Sequence, residues 1–447
     1  MEQVQSEPEA SNFMTPAEPA TTEQTSDWTF AAVYTLGFLT LISTFNYLDR
    51  TILGLALPAI KAEMNISDTM LGLVSGLAFV AFYSVLGIPI AWLADRYSRR
   101  NIIAIGLAFW SAMTLLTGFV ANVWQLAGAR FLMGAGEACG LAPSNSMISD
   151  LVRPARRPLA MSIFGMAFSI ASIVFYPIVG WIGQHHGWRA MFISAGVPGL
   201  ILALAFLTVK EPARGAAERS NQRSAFEPAS LAQTLRFLFD SRAFLFILLG
   251  STFMGANTFA AGIWTPTFLM RVHHFNLAQV GATIGPVRGF LGAAGVLAGG
   301  ILTDRLGQRD PSWRLRAPAI ACIALGPAEA LFLLTDPKLL WMTGLALTSF
   351  LMLLHMGPVF AVVLNVTHVR MRAIASAIMA LCATLLGQAV GPLLVGFLND
   401  LLTPSLADDA VRYSLLINTI TAIGAGVAFL AALPHLERDA ARVARAE

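Results

Sequence analysis

Residues 46–50 read NYLDR and set an acid against a base, Asp49 beside Arg50, inside a hydrophobic stretch that runs from Phe30 to Leu57. A charge near the centre of a bilayer costs roughly 2.5 to 3.5 kcal/mol on insertion scales, so one kept there faces a protein interior or a watery cavity. The stretch exceeds the ~20 largely apolar residues that one helical crossing needs. It marks a membrane protein whose working group is Asp49.

Eleven further stretches of this kind follow. With the first, their cores lie at 30–57, 69–93, 101–121, 124–148, 159–183, 189–209, 243–270, 277–302, 316–335, 339–364, 373–398 and 412–434. Over 447 residues, 56% are hydrophobic and only 12% charged, against about 25% charged in soluble domains. The sequence predicts an all-α membrane protein with twelve transmembrane helices.

Polar segments divide these helices. Residues 1–27 hold six acids and no Lys or Arg, and are expected to form a disordered acidic tail. The second long polar interruption, 210–242, separates a six-helix bundle at 28–209 from another at 243–436, and residues 437–447 close the chain as a second tail. If the first tail is cytoplasmic, the loops on its side carry 21 Lys and Arg against five on the other. That asymmetry puts both termini and the 210–242 linker in the cytoplasm, with the chain multi-pass in the cell inner membrane.

The two halves repeat one another. WLADRYSRR (Trp92–Arg100) follows the second stretch and ILTDRLGQR (Ile301–Arg309) follows the eighth, so Asp95-Arg96 corresponds to Asp304-Arg305. Arg157 and Pro177 fall on Arg372 and Pro392 at one common offset. Parallel repeats of this kind build pseudo-symmetric transporters.

Other chemistries lack their residues. There is no HExxH or GxSxG motif and no phosphate-cradling loop, so neither an enzyme nor an ATP-driven pump is expected. Cys139, Cys322 and Cys382 all fall in hydrophobic stretches without metal or disulfide spacing. The pairs His185-His186 and His273-His274 are expected in loops, and no metal site or other cofactor is expected.

LADRYSRR (Leu93–Arg100) resembles the loop signature of the major facilitator superfamily, with Ala91 and Ser98 in place of its two glycines, and LAGARFLMGAGEA (Leu126–Ala138) resembles that superfamily's fourth-helix signature. NYLDRTILGLALP (Asn46–Pro58), RFLMGAGEACGLAPSNSMISD (Arg130–Asp150), RRPLAMSIFGMAFSI (Arg156–Ile170), GWRAMFISAGVPG (Gly187–Gly199) and KEPARG (Lys210–Gly215) are similar to bacterial members of its Spinster-like branch. That group is associated with lysophospholipids and sphingosine 1-phosphate. The resemblance is denser in the first half. FYPIVGW (Phe175–Trp181) stands where many members carry a glycine-proline pair.

The resemblance implies that the first and fourth helices line a central cavity. At 1.5 Å per residue, Asp49 and Arg50 then lie level with the gap between Arg130 and Glu137, which sit two turns apart on one helix face. The expected pairs are Asp49 with Arg130 and Arg50 with Glu137, a cluster able to couple protons to movement. The alternative is a static salt-bridge network that fixes helix register. Candidate cavity residues are Asn145, Asn257, Trp264, Arg288 and His355, whereas Glu329 is expected to reach the outer interface. A gate is expected from Asp95, Arg96, Arg99, Asp150, Asp304 and Arg305. By resemblance, Asp95 faces the start of the eleventh helix and Arg99 reaches Asp150, locking the two halves when the cavity opens outward.

The leading expectation is a proton-coupled secondary transporter that moves an amphipathic lipid by alternating access and acts as a monomer without nucleic acid. An organic-anion or drug transporter of the same superfamily ranks second. A receptor or scaffold that transports nothing ranks third.

Overall fold

The computed structural model describes residues 28–215 and 231–446, so the acidic segment 1–27 and residues 216–230 of the linker lie outside the described residues. Span 1 is Phe30–Met64, and span 2 joins Asp68–Ser75 to Leu77–Arg96. Span 3 is Arg99–Thr117, and span 4 joins Val123–Glu137 to Leu141–Leu151. Span 5 runs through Arg157–Gly165, Ala167–Ile170, a π turn at Ala171–Phe175 and the start of Tyr176–Phe206. Gly187, at φ 80°, breaks that last helix and opens span 6. Such a φ is open to glycine at little cost.

The second half follows the same plan. Spans 7, 8 and 9 are Arg242–Arg271, Leu277–Gly307 and Trp313–Leu334, and span 10 joins Lys338–Leu354 to Met356–Asn365. Spans 11 and 12 are Arg372–Leu406 and Ile417–Ala446. Nine stretches among the described residues are long and apolar enough to cross a membrane. Two of these, 154–206 and 374–439, each hold two crossings, and span 4, with its internal charges, brings the number to twelve.

Polar side chains start the helices and small residues interrupt them. Thr29, Ser67, Ser98, Asn122, Ser241 and Asn276 each accept from a backbone N–H in the first turn of the span that follows. The π turn of span 5 precedes Pro177, whose missing N–H leaves carbonyls one turn back to be satisfied by another register. The linker contains a helix, Leu231–Phe239, and residues 437–446, expected as a tail, continue span 12 as helix. His185 and His186 lie within the helix ahead of Gly187, not in a loop.

Three apolar clusters explain how the halves sit together. One draws its buried members from the first half, Leu39, Phe79, Leu107 and Phe206 among them, with Leu385 and Ala389 of span 11 packed at its edge; another, in the second half, holds Phe244, Leu325, Val363 and Phe429. Both lie toward the face where the chain begins and ends, here the termini face. The third cluster, toward the opposite or far face, mixes the halves: Leu53, Leu71 and Phe192 pack with Trp264, Phe268 and Val280. The two bundles therefore share a core on the far side and keep separate cores on the termini side.

Glycines permit the shared side to close. A Cβ at Gly72, Gly76 or Gly396 would lie 2.4, 2.2 or 2.2 Å from a backbone carbonyl of the other half. In lipid, where no hydrophobic effect drives helices together, such backbone approach supplies the packing that does.

Candidate functional site

The first-half site grows from spans 1, 3 and 4. Arg50 Nε donates to Glu137 Oε2 at 2.8 Å, and the carboxylate is fully enclosed. The Arg50 guanidinium lies over the rings of Phe79 and Tyr83, at 5.0 and 4.8 Å from their centroids, a cation–π arrangement that holds it against span 2. Asn46, one turn before Arg50 on span 1, faces Glu137 as well.

Arg130 departs from expectation. It does not form an ion pair with the Asp49 carboxylate; its Nη1 donates to the Asp49 carbonyl at 3.2 Å, while Nε and Nη2 have no partner. Its guanidinium faces Phe79 at 5.2 Å, so one phenyl ring carries both arginines. Asp49 itself is buried, with Oδ1 unpartnered and Trp110 and Thr114 of span 3 facing its carboxyl. A carboxyl and a guanidinium thus lie buried in one cluster with no ion pair between them. Burying charges in this way is costly unless another state of the molecule uses them.

Beside this cluster opens a cavity of about 480 Å³ lined by Asn46, Tyr47, Arg50, Tyr83 and Glu137. The second half holds its own, of about 360 Å³, lined by Arg288, Thr265 and Glu329. Arg288 Nη2 donates to the Ala261 carbonyl at 3.1 Å and to Thr265 Oγ1 at 2.7 Å.

Other candidates are placed elsewhere. Trp264 does not line a cavity, because its indole N–H is bound to the Pro392 carbonyl at 2.9 Å in the closed far side. Asn257 is also internal: Nδ2 donates to Glu329 Oε1 and to the Asn418 carbonyl, each at 2.9 Å. Glu329 consequently does not reach the interface and is buried. His355 sits at the break of span 10, its ring stacked 6.3 Å from Phe429, and half-buried Asn145 keeps an unpartnered Oδ1.

On the termini face, Arg99 organises a dock for the segment after span 6. Its Nη1 reaches Asp150 Oδ2 at 2.5 Å and Ser146 Oγ at 2.9 Å, Nε reaches Glu211 Oε1 at 3.1 Å, and Nη2 reaches the Pro212 carbonyl at 2.8 Å. Arg214 donates to the backbone carbonyls of Ala94, Asp95 and Tyr97. The expected gate across the halves is absent among these residues. Among the described residues the exposed carboxylates of Asp95 and Asp304 have no ion-pair partner, Arg305 is exposed, and Arg96 folds back onto its own Trp92 ring at 3.8 Å. The reason is the separation of the two cores on this side.

Burial works to raise Glu211's pKa, but hydrogen bonds from Ser98, the Arg99 backbone and the Arg99 side chain outweigh it and hold the carboxyl below the ordinary glutamate range. A depressed folded-state value contributes stability above the unfolded pKa and loses it as pH falls through the folded one. Glu211→Gln is expected to lower the melting temperature at neutral pH and to flatten its decline as pH falls below about 5, read by thermal unfolding of the purified protein. An unchanged pH profile contradicts this dock.

The far face carries a lock that the sequence reading overlooked. Fully enclosed Asp68 receives Lys61 Nζ at 2.7 Å and, from the other half, Arg271 Nη1 at 2.7 Å and Nη2 at 3.0 Å. Asp400, also of the second half, caps span 2 by accepting from the Asp68 N–H at 2.9 Å, the Thr69 N–H at 2.7 Å and Thr69 Oγ1 at 2.5 Å. A visible signal was Ser67-Asp68 at a helix start, where a carboxylate also meets the positive end of the helix dipole.

Comparison with known proteins gives a consistent family. A family model described as the Major Facilitator Superfamily matches residues 39–387. An MFS-type efflux pump of Mycolicibacterium smegmatis is 31% identical over 385 residues, covering 86% of this chain and 88% of that protein. Protein spinster homolog 1 of Homo sapiens is 29% identical over 442 residues, covering 90% and 81%. The crystal structure of a bacterial homologue of the human lysosomal transporter Spinster, inward-facing and unoccupied, aligns with a TM-score of 0.81 at 24% identity, over 92% of this chain and 98% of that one.

Proposed function

The chain belongs to the Major Facilitator Superfamily, in its Spinster-like branch, and from that premise we propose that it is a proton-coupled transporter of an amphipathic lipid with a charged head. The observation that carries this reading is the buried cluster of the Asp49 carboxyl and the Arg130 guanidinium, with no ion pair between them, beside the Arg50–Glu137 pair that opens into a cavity. Protonation of Asp49 decides whether Arg130 has an anionic partner within reach. A shift of Arg130 is transmitted through Phe79 to Arg50, and so to the cavity wall.

In this reading the termini face is cytoplasmic, from the asymmetry of Lys and Arg, and the molecule is open toward the cytoplasm with its far side locked. Alternating access then requires release of Asp68 and Asp400 and approach of the halves around Asp95 and Asp304. Proton and substrate bias that equilibrium by as much as they bind the two states differently. Sites in both halves, one with Arg50 and Glu137 and the other with Arg288, suit a charged head, with the apolar walls left for a chain. The protein works as a monomer in the inner membrane, with the proton as its coupling ion and no other cofactor.

A second reading has its own support. The 31% identical relative is named as an efflux pump, which favours export of a drug or organic anion through the same machinery. Uptake and release of labelled lysophospholipid in proteoliposomes, with and without a pH gradient, separates the two. Gradient-dependent lipid flux supports the first. Absent lipid flux together with proton-dependent movement of an organic anion supports the second.

A further inference from the structure

Glu329 and Arg288 share one cavity and do not meet. Glu329 stands on span 9, 4% exposed, with Oε1 fixed by Asn257 and Oε2 enclosed without a partner. Asn257 is itself pinned, because its second N–H is spent on the Asn418 carbonyl of span 12. Arg288, on span 8, is tied to the neutral oxygens of Ala261 and Thr265 on span 7, and among the described residues no carboxylate lies within ion-pair distance of it. Both side chains line the same cavity of about 360 Å³, with Thr348 and Ser349 of span 10 contributing hydroxyls to its wall.

A carboxyl and a guanidinium enclosed in one cavity would ordinarily pair, since each alone loses its hydration without compensation. Here each is held by neutral groups of span 7, Glu329 by Asn257 and Arg288 by Ala261 and Thr265, and no contact joins the two. A carboxylate oxygen without a donor accepts from an ammonium, and a guanidinium with unused N–H groups donates to a phosphate or carboxylate. A ligand that carries both charges answers both.

We propose that Glu329 is a specificity-determining residue that receives a positively charged group of the substrate while Arg288 takes its anionic group, so that the second half selects amphiphiles bearing both. The proposal rests on the lipid-transport reading above and adds to it the residue that reads head-group charge. Charge reversal on either side of the cavity defines what is refused: a purely anionic head leaves Glu329 unanswered, and a purely cationic head leaves Arg288 so.

The test is equilibrium binding of three single-chain amphiphiles with identical tails to the purified full-length protein: a lysophosphatidylethanolamine, a lysophosphatidic acid and a primary alkylammonium. Glu329→Gln keeps an oxygen for Asn257 and removes only the charge. It is expected to weaken the zwitterion and the cation by about tenfold and to leave the anion within about twofold. Arg288→Gln is expected to do the reverse, weakening the zwitterion and the anion, and Arg288→Lys to restore most of the anion's affinity. Equal weakening of all three ligands by both variants means a structural role and overturns the proposal, as does no change in any. Wild-type protein that binds none of the three removes the lipid reading itself and the proposal with it. Wild-type protein that binds them while the variants do not discriminate removes the proposal alone.

Discussion

Asp49→Asn is expected to abolish accumulation of substrate driven by a pH gradient while leaving substrate binding intact. The substitution removes a titratable group and keeps the shape of a side chain that is 2% exposed and faces Trp110 and Thr114. Arg130, which now donates to the Asp49 carbonyl, keeps that bond in the variant but never meets an anion there. With one proton moved per substrate, a gradient of about one pH unit supports about tenfold accumulation in wild-type proteoliposomes, since each 1.4 kcal/mol is a factor of ten. The variant is expected to equilibrate its substrate and go no further. Tenfold accumulation by the variant would move proton coupling away from Asp49. Loss of binding together with flux would make Asp49 a structural residue and leave the coupling group unassigned.

Asp68→Ala is expected to open the far face. The carboxylate receives Lys61 from its own half and Arg271 from the other, and its loss leaves both cations without an anion. Removing one partner of a buried pair costs about 3 to 5 kcal/mol. The two cations here are partly solvated, so about 2 kcal/mol, or a roughly 30-fold shift toward states with the far side parted, is the expected size. Spin labels at Ala62 and Lys338, exposed on the far-face ends of the two halves, report it as a longer distance population when Cys139, Cys322 and Cys382 are first replaced. A distance distribution unchanged from wild type would mean that glycine packing around Gly72, Gly76 and Gly396 closes this side without the lock.

Much of this was legible in the chain because membrane helices announce themselves by length and hydropathy, and because a charge inside one is rare enough to stand out. Arg50 and Glu137 could be matched by depth along two helices, and the structure brings them together at 2.8 Å. Depth along an axis does not place Arg130 in the same way, since it does not distinguish the Asp49 carboxylate from its carbonyl. Glu329 was misread for a related reason. It lies five residues from the end of span 9, but spans 7 and 12 cover it through Asn257 and Asn418, and lateral cover leaves no mark on hydropathy.

The far-face lock was hidden because Asp68 and Asp400 lie 332 residues apart in the chain and neither sits inside an apolar run. The expected gate at Asp95 and Asp304 concerns the other end of the cycle, and a single conformation leaves it unmade. Trp264 shows the limit of counting polar residues on a helix face: a buried indole needs one acceptor, and Pro392 supplies it within the bundle.

The most direct measurement of the central claim is the internal pH of proteoliposomes in which a lysophospholipid moves down its own gradient with no pH difference imposed at the start. The expected result is a pH change in the lumen that tracks lipid movement and disappears in Asp49→Asn. Lipid movement with no pH change in the wild type would contradict it, and the cluster around Asp49 would then stand as a fixed salt-bridge network.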